Sequence, residues 1–240
     1  MSANELVDEP TVVGREEWMA ARVAHLEAEK AFTRQRDELS EQRRRLPWLE
    51  ITADYQFEGP DGQRSLAELF EGRSQLLVNH FMLGPGWDEG CPSCSFWADN
   101  YSGTEMHLAA RDTTLIAISR GSLEEIERYR TRMGWSFPWY SSAGSSFNYD
   151  MGASFTEQQM ADGAKLYNYE TIAPFADESP GISIFARSDD GRVFLTYQTF
   201  ARGLDMLNGT YHMLDLTPKG RDEGDLPYGM AWLRRHDQYE

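Results

Sequence analysis

The sequence predicts an α/β protein in three layers: a mixed sheet with helices on both faces, preceded by a long N-terminal helix. Three observations predict it. Apolar strand-like runs alternate with helix signals between residues 76 and 133, an antiparallel hairpin signal follows at 182–197, and residues 15–45 read as one uninterrupted helix.

The elements follow in chain order. Residues 1–13 read as a loose arm. Gly14 before Arg15-Glu16-Glu17 is a helix start with acids in the first turn, and Pro47 stops the helix near Arg45. Met19, Val23 and Leu26 make one apolar set and Phe32, Leu39 and Leu46 another, one residue out of step, so the helix is not a strict coiled coil. A narrow stripe among dense charge suits a helix laid on a partner subunit or across its own domain, and equally a plain surface helix. Residues 49–58 read as a strand before a turn at Gly59-Pro60-Asp61-Gly62, and Ser65 with Glu68 caps a short helix.

Leu76 to Met82 is a buried strand, and a Gly-rich loop carries it to Cys91-Pro92-Ser93-Cys94, from which a helix is expected to run toward Arg111. Thr113–Ser119 is the next strand, and Ser122 with Glu125 forms a capping box for a helix over 123–133. A short β-connection spans 136–142. Residues 143–180 read as irregular and aromatic, with a short helix near 156–166. Ile182–Arg187, Asp189-Asp190-Gly191 and Val193–Tyr197 make the hairpin, and a short helix near 203–211 precedes a loop-rich tail.

Composition bounds the function. A formal charge of −16 leaves no Lys/Arg surplus for phosphate neutralisation, so nucleic-acid binding is not expected. Residues 15–45 carry 8 basic and 7 acidic side chains, so the acidity resides in the rest of the chain. No apolar run approaches the roughly 20 residues of a membrane span. The acidic start lacks the features of a signal peptide, and cytoplasm is the expected location. No nucleotide fingerprint, P-loop or His-Glu-x-x-His is present, and no cofactor is expected.

The chemistry lies in the two cysteines. Cys91 and Cys94 stand three apart at a strand-to-helix junction and are the only cysteines of the 240 residues. Helix N–H groups there stabilise a thiolate, so Cys91 is the expected nucleophile and Cys94 the resolving thiol. Asp88 and Glu89 oppose a thiolate by like charge, which predicts a modest pKa depression and a reducing couple nearer about −270 mV than −120 mV. A zinc half-site would need two more ligands, for which His80 or His107 are the geometric candidates. An inert pair is the other alternative. The aromatic stretch Trp135 to Tyr149 reads as core packing or as a pocket wall near the dithiol, and His212 with Asp215 as structural polar residues.

The lead-in Tyr55–Phe70 resembles the opening hairpin and first helix of the peroxiredoxin-type branch of the thioredoxin-like superfamily. More closely, the chain resembles the bacterial domain-of-unknown-function family 899. Arg15–Trp18, Arg43–Trp48, Gly90–Phe96, Arg132–Trp139, Phe147–Asp150 and Leu216–Arg221 carry that resemblance. It implies a thioredoxin-like domain over 47–240 with an aromatic-rich insertion, after an arm and long helix over 1–46. It also implies a dithiol–disulfide oxidoreductase, and it makes Pro180 the candidate for the cis-proline that packs beside the dithiol in such sheets. The Pro-Ser pair between the cysteines departs from thioredoxin. A Thr-x-x-Cys peroxidatic motif is absent: Asp88 precedes Cys91 by three residues, and Cys91 so precedes Cys94. Dithiol chemistry of this kind takes a disulfide-bearing protein or small molecule and a thiol reductant as partners, and the 15–45 helix is the candidate surface for a second copy. The alternative is a non-catalytic redox-sensing or binding protein on the same scaffold.

Overall fold

The computed structural model describes residues 10–173 and 175–239, and the first nine residues of the expected arm lie outside them. Helix α1 (Arg15–Arg44) comes first. Then follow β1 (Leu49–Ile51), β2 (Gln56–Gly59), β3 (Gly62–Ser65), β4 (Gln75–His80), α2 (Pro92–Ala98), α3 (Thr104–Ala109), β5 (Thr113–Ser119) and α4 (Leu123–Arg132). The second half holds β6 (Trp139–Ser141), α5 (Phe147–Asp150), α6 (Glu157–Ala161), β7 (Lys165–Tyr167), β8 (Glu170–Ile172), β9 (Gly181–Arg187), β10 (Val193–Phe200) and α7 (Gly209–Leu214).

The main sheet has the order β1-β10-β9-β4-β5-β6-β2-β3. β4, β5 and β6 are parallel, and the β9–β10 hairpin joins β4 antiparallel. Three parallel strands beside an antiparallel hairpin, with a helix starting at the dithiol after the first strand, make the fold thioredoxin-like.

Period-two alternation sorts the strand side chains onto two cores. Leu76 and Val78 of β4, Ile116 and Ile118 of β5 and Phe185 of β9 pack with Phe57, Leu69, Phe70 and Phe147 on one face. Leu77, Leu115, Ala117, Ile182 and Ile184 meet α2 and α4 on the other, through Cys94, Phe96, Trp97, Ile126 and Tyr129. The aromatics Trp135, Phe137 and Trp139 are buried in this second core rather than lining a pocket.

Three expectations are corrected. The strand read over 49–58 is two strands. β1 pairs with β10 at one edge, and β2 pairs with β3 and β6 six places away. Six gaps of about 4.8 Å would separate β1 and β2 by about 29 Å in a flat sheet, while the five steps from Ile51 to Gln56 reach only about 18 Å. The sheet is therefore curled. Secondly, the helix expected to run to Arg111 ends at Ala98, with Asp99 as its C-cap, and α3 begins at Thr104 behind its N-cap Gly103, whose φ of 88° suits glycine and turns the chain between the two helices. Thirdly, residues 143–180 contain a small hairpin, β7–β8, besides the helix expected near 156–166, which is only the five residues of α6. No residue of α1 is buried, and Trp18, Met19, Val23, Phe32 and Leu39 are exposed, so of the three readings offered for this helix the one laid across its own domain is excluded. Its C-terminal end meets the sheet, with the Arg43 guanidinium 4.8 Å from the Tyr197 ring centre.

The capping box expected at Ser122 forms, whereas the cap expected at Ser65 does not: the 3₁₀ turn Glu68–Phe70 has Ala67 as its N-cap, with no side-chain bond there. Ser122 and Glu125 cap α4 reciprocally, and Glu68 accepts from the backbone and hydroxyl of Ser65 at 2.7 and 2.8 Å. Among the described residues, no helix is long and apolar enough to cross a membrane.

Candidate functional site

β4 ends at His80 and the chain turns back so that the Cys91 N–H donates to the Met82 carbonyl at 3.0 Å. Cys91 is the N-cap of α2 and Pro92 its first residue, where a missing N–H costs nothing. Gly90 makes this approach possible. A Cβ there would stand 2.5 Å from Phe81 and 2.6 Å from Tyr129 ring carbons.

Both cysteines are free; Cys91 is half-buried and Cys94 buried. Their thiols are driven apart. The Cys91 pKa is lowered to about 6, first by a hydrogen bond from the Cys94 thiol, then, against the cost of burial, by the N–H groups of Cys94 and Ser93 and the Ser93 hydroxyl. The Cys94 pKa is raised well above the ordinary thiol value by that same hydrogen bond, by burial and by the Cys91 charge, with Glu178 adding to it.

A polar relay braces the carbonyl side of Cys91. Arg235 Nε donates to Tyr129 Oη at 3.0 Å, Ser95 Oγ and Tyr129 Oη are 2.8 Å apart, and Ser95 Oγ donates to the Cys91 carbonyl at 2.9 Å. With the serine proton committed to that carbonyl, the tyrosine donates to the serine. Arg235 Nη2 also donates to the Gly90 carbonyl at 2.6 Å, and Arg235 Nη1 meets Glu89 Oε2 at 2.8 Å. Glu89 pairs with Arg132 as well, and these partners hold its carboxyl below the usual range. The expected opposition of Glu89 to the thiolate is therefore corrected: two guanidinium groups offset its charge. The depression of Cys91 is larger than the modest one the sequence predicted.

Pro180 lies at the start of β9 and lines a cavity of about 410 Å³ together with Ser93 and Cys94. No peptide bond among the described residues is cis, so Pro180, the candidate named from the resemblance, follows a trans bond. Tyr167 Oη donates to its carbonyl at 2.8 Å. Lys165 holds the approach to it, donating to the Ala176 carbonyl at 3.0 Å and to Ser179 Oγ at 2.9 Å. Its ammonium lies 4.0 Å from the ring centres of Phe155 and Phe175, and burial lowers its pKa to about 8. The buried Glu178 carboxylate pairs with Arg120 and accepts from Ser154 Oγ at 2.9 Å.

The candidate zinc ligand His80 faces the opposite core. Its Nε2 is 2.7 Å from Ser183 Oγ, and its ring lies against Phe147. Among the described residues no cluster of three or more His, Cys, Asp or Glu side chains is arranged to hold a metal. His212 is exposed and Asp215 pairs with Arg221. Sequence reasoning missed Arg235, Tyr129 and Ser95. The pair Arg234-Arg235 in an otherwise acidic tail was the one visible signal for the first.

None of the curated proteins compared matches this chain. Among solved structures, it is similar to a peroxidoxin, BcpB, from Mycobacterium tuberculosis, with 12% identity, a TM-score of 0.43, and coverage of 69% of this chain and 94% of that one. A PrxQ mutant from Xylella fastidiosa matches at 9% identity and TM-score 0.41, over 69% and 96% of the two chains. A candidate thiol:disulfide interchange protein, DsbE, from Chlorobium tepidum matches at 11% identity and TM-score 0.39, over 68% and 95%. Residues 7–239 match the family described as "Bacterial protein of unknown function (DUF899)", and the chain belongs to that family.

Proposed function

We propose that the protein is a thiol–disulfide oxidoreductase with Cys91 as nucleophile and Cys94 as resolving thiol. The observation that carries this reading is the opposed pair: a half-buried thiol with a lowered pKa beside a buried one with a raised pKa. The Cys91 thiolate attacks one sulfur of a substrate disulfide, forming a mixed disulfide and releasing the first substrate sulfur as a thiolate. That thiolate takes the Cys94 proton. Cys94 then attacks Cys91 Sγ, the second substrate sulfur leaves as a thiolate and takes a proton from water, and the protein is left with a Cys91–Cys94 disulfide. The substrate disulfide is reduced to two thiols by the two electrons the dithiol loses. A thiol reductant restores the dithiol, which sets the protein in a reducing compartment, the cytoplasm.

Insulin reduction by dithiothreitol is the test. The wild type is expected to accelerate it, Cys91→Ser to abolish the acceleration, and Cys94→Ser to accumulate a mixed disulfide on Cys91. Equal rates for all three proteins would end this reading.

A second reading concerns assembly. We propose that α1 packs against a second copy of the chain. Thirty helical residues without one buried side chain, among them five exposed large apolar ones, support it. Residues 15–45 are near neutral while the remainder of the chain carries the acidity, so the helix of one copy meets the acidic body of the other without like-charge repulsion. Solution mass by light scattering decides between one chain and two, and the same measurement on oxidised and reduced protein tests a redox-sensing role.

A further inference from the structure

The cavity beside the dithiol is lined by Cys94, by the apolar side chains of Trp97, Leu204 and Met230, and by one carboxylate that no cation holds, Glu223. Its volume of about 410 Å³ is in the range of small-molecule sites. The two oxygens of Glu223 differ. Oε1 accepts from Tyr211 Oη at 2.7 Å, from the Met230 N–H at 3.0 Å and from Trp232 Nε1 at 2.7 Å, which fixes the side chain. Oε2 has no hydrogen-bond or ion-pair partner among the described residues, and it is not sealed off: Glu223 is half-buried and this oxygen is not one of the occluded unpartnered atoms. It lies beside Gly229, another lining residue, where a Cβ would stand 3.2 Å from it.

The two guanidinium groups of the wall are engaged elsewhere. Arg202 pairs with Asp205 at 2.7 Å, and Arg221 pairs with Asp205 at 3.0 Å and with Asp215 at 2.8 Å. Two positive groups thus stand with three carboxylates, Asp205, Asp215 and Glu223, and the excess negative charge is that of Glu223. Against the cost of burial, the three hydrogen bonds and the nearby Arg221 charge hold the Glu223 carboxyl below its usual range, so it is ionised at neutral pH. One free carboxylate oxygen among apolar walls suits an ammonium carried on an apolar body. It does not suit a metal ion, which needs several oxygen ligands, and no such cluster exists among the described residues.

We infer that this cavity is a binding site for a small organic amine in its protonated form, the ammonium donating to Glu223 Oε2 and the apolar body resting against Trp97, Leu204 and Met230. The N–H to carboxylate bond is charge-assisted and forms without breaking any existing pair. An anion would meet the Glu223 charge and would have to displace a carboxylate from Arg202 or Arg221. A molecule seated there abuts Cys94.

Met230 provides the reporter. The reduced protein, labelled with ¹³C-methyl methionine, is titrated at neutral pH with benzylamine and with benzoate, and the Met230 resonance is identified by its loss in Met230→Leu. Benzylamine is expected to shift that resonance saturably and to bind at least ten-fold more tightly than benzoate. Glu223→Gln keeps an oxygen for Tyr211, Met230 and Trp232 but removes the charge and the free acceptor. It is expected to weaken benzylamine about ten-fold, the worth of one hydrogen bond to a charged group. No saturable shift at millimolar benzylamine would overturn the inference, as would equal affinity in Glu223→Gln or benzoate binding as tightly. If Glu223→Gln does not fold, Gly229→Ala, whose added methyl crowds Oε2, decides: weakened benzylamine binding supports the site and unchanged binding overturns it. Binding is read without turnover, so an inactive dithiol would not affect this outcome.

Discussion

Cys91 draws its thiolate character from groups within its own turn. The Cys94 thiol, two backbone N–H groups and the Ser93 hydroxyl all point at one sulfur. A reduced state stabilised in this way makes a couple less reducing, so the potential is expected between about −270 and −180 mV, more oxidising than the acidic neighbours Asp88 and Glu89 alone would imply. Cys91 ionises as pH rises through about 6, so alkylation of the reduced protein by iodoacetamide should rise through that pH and level off above it. Arg235 is a positioning residue: it offsets Glu89 and holds the Gly90 carbonyl. Arg235→Met should move the inflection up by about half to one pH unit, with Arg235→Lys between the two. An inflection near 8 in the wild type, or one unmoved in Arg235→Met, would contradict this account.

Among the elements, α4 and the β9–β10 hairpin were legible because their signals are local. A capping box and a Gly turn between β-branched runs are read within a few residues. The 49–58 strand misled for the opposite reason. Its residues favour extended backbone throughout, and only the distant partners β10 and β6 divide it. Gly103 was the missed sign of the break between α2 and α3. α1 was read correctly as a helix, but its narrow stripe does not meet its own domain. Two chains per particle are expected, and Phe32→Glu with Leu39→Glu should return a single chain with an unchanged near-ultraviolet spectrum, since neither residue is buried within its own chain. A monomeric wild type would remove the dimer reading.

On the scale of the whole molecule, the sheet separates two chemistries. The dithiol, the relay from Arg235 and the cavity lie on one face. His80, one residue beyond Asn79 on β4, points into the other core, where burial lowers its pKa to about 3. Its Nδ1 has no partner among the described residues. Folded His80 stays neutral while the unfolded chain takes up a proton below about pH 6.5, so this residue makes stability fall as pH drops from about 6.5 toward 3. Between pH 7 and pH 5 the wild type should lose about 2 kcal/mol more than His80→Gln in urea unfolding. Equal losses would show that the histidine titrates in the folded state.

The sequence by itself determined the alternating elements, the position of Cys91 and Cys94 at a strand-to-helix junction and the family to which the chain belongs, because periodicity, caps and the Cys-x-x-Cys spacing are written in neighbouring residues. Tertiary structure decided the curl of the sheet, the trans bond before Pro180, the offsetting of Glu89 by Arg132 and Arg235, and the cavity that opens onto Cys94. Each of these depends on groups brought together from far apart along the chain, with Arg235 lying 145 residues from the Gly90 carbonyl it holds. Such contacts are set by packing, and no local pattern encodes them.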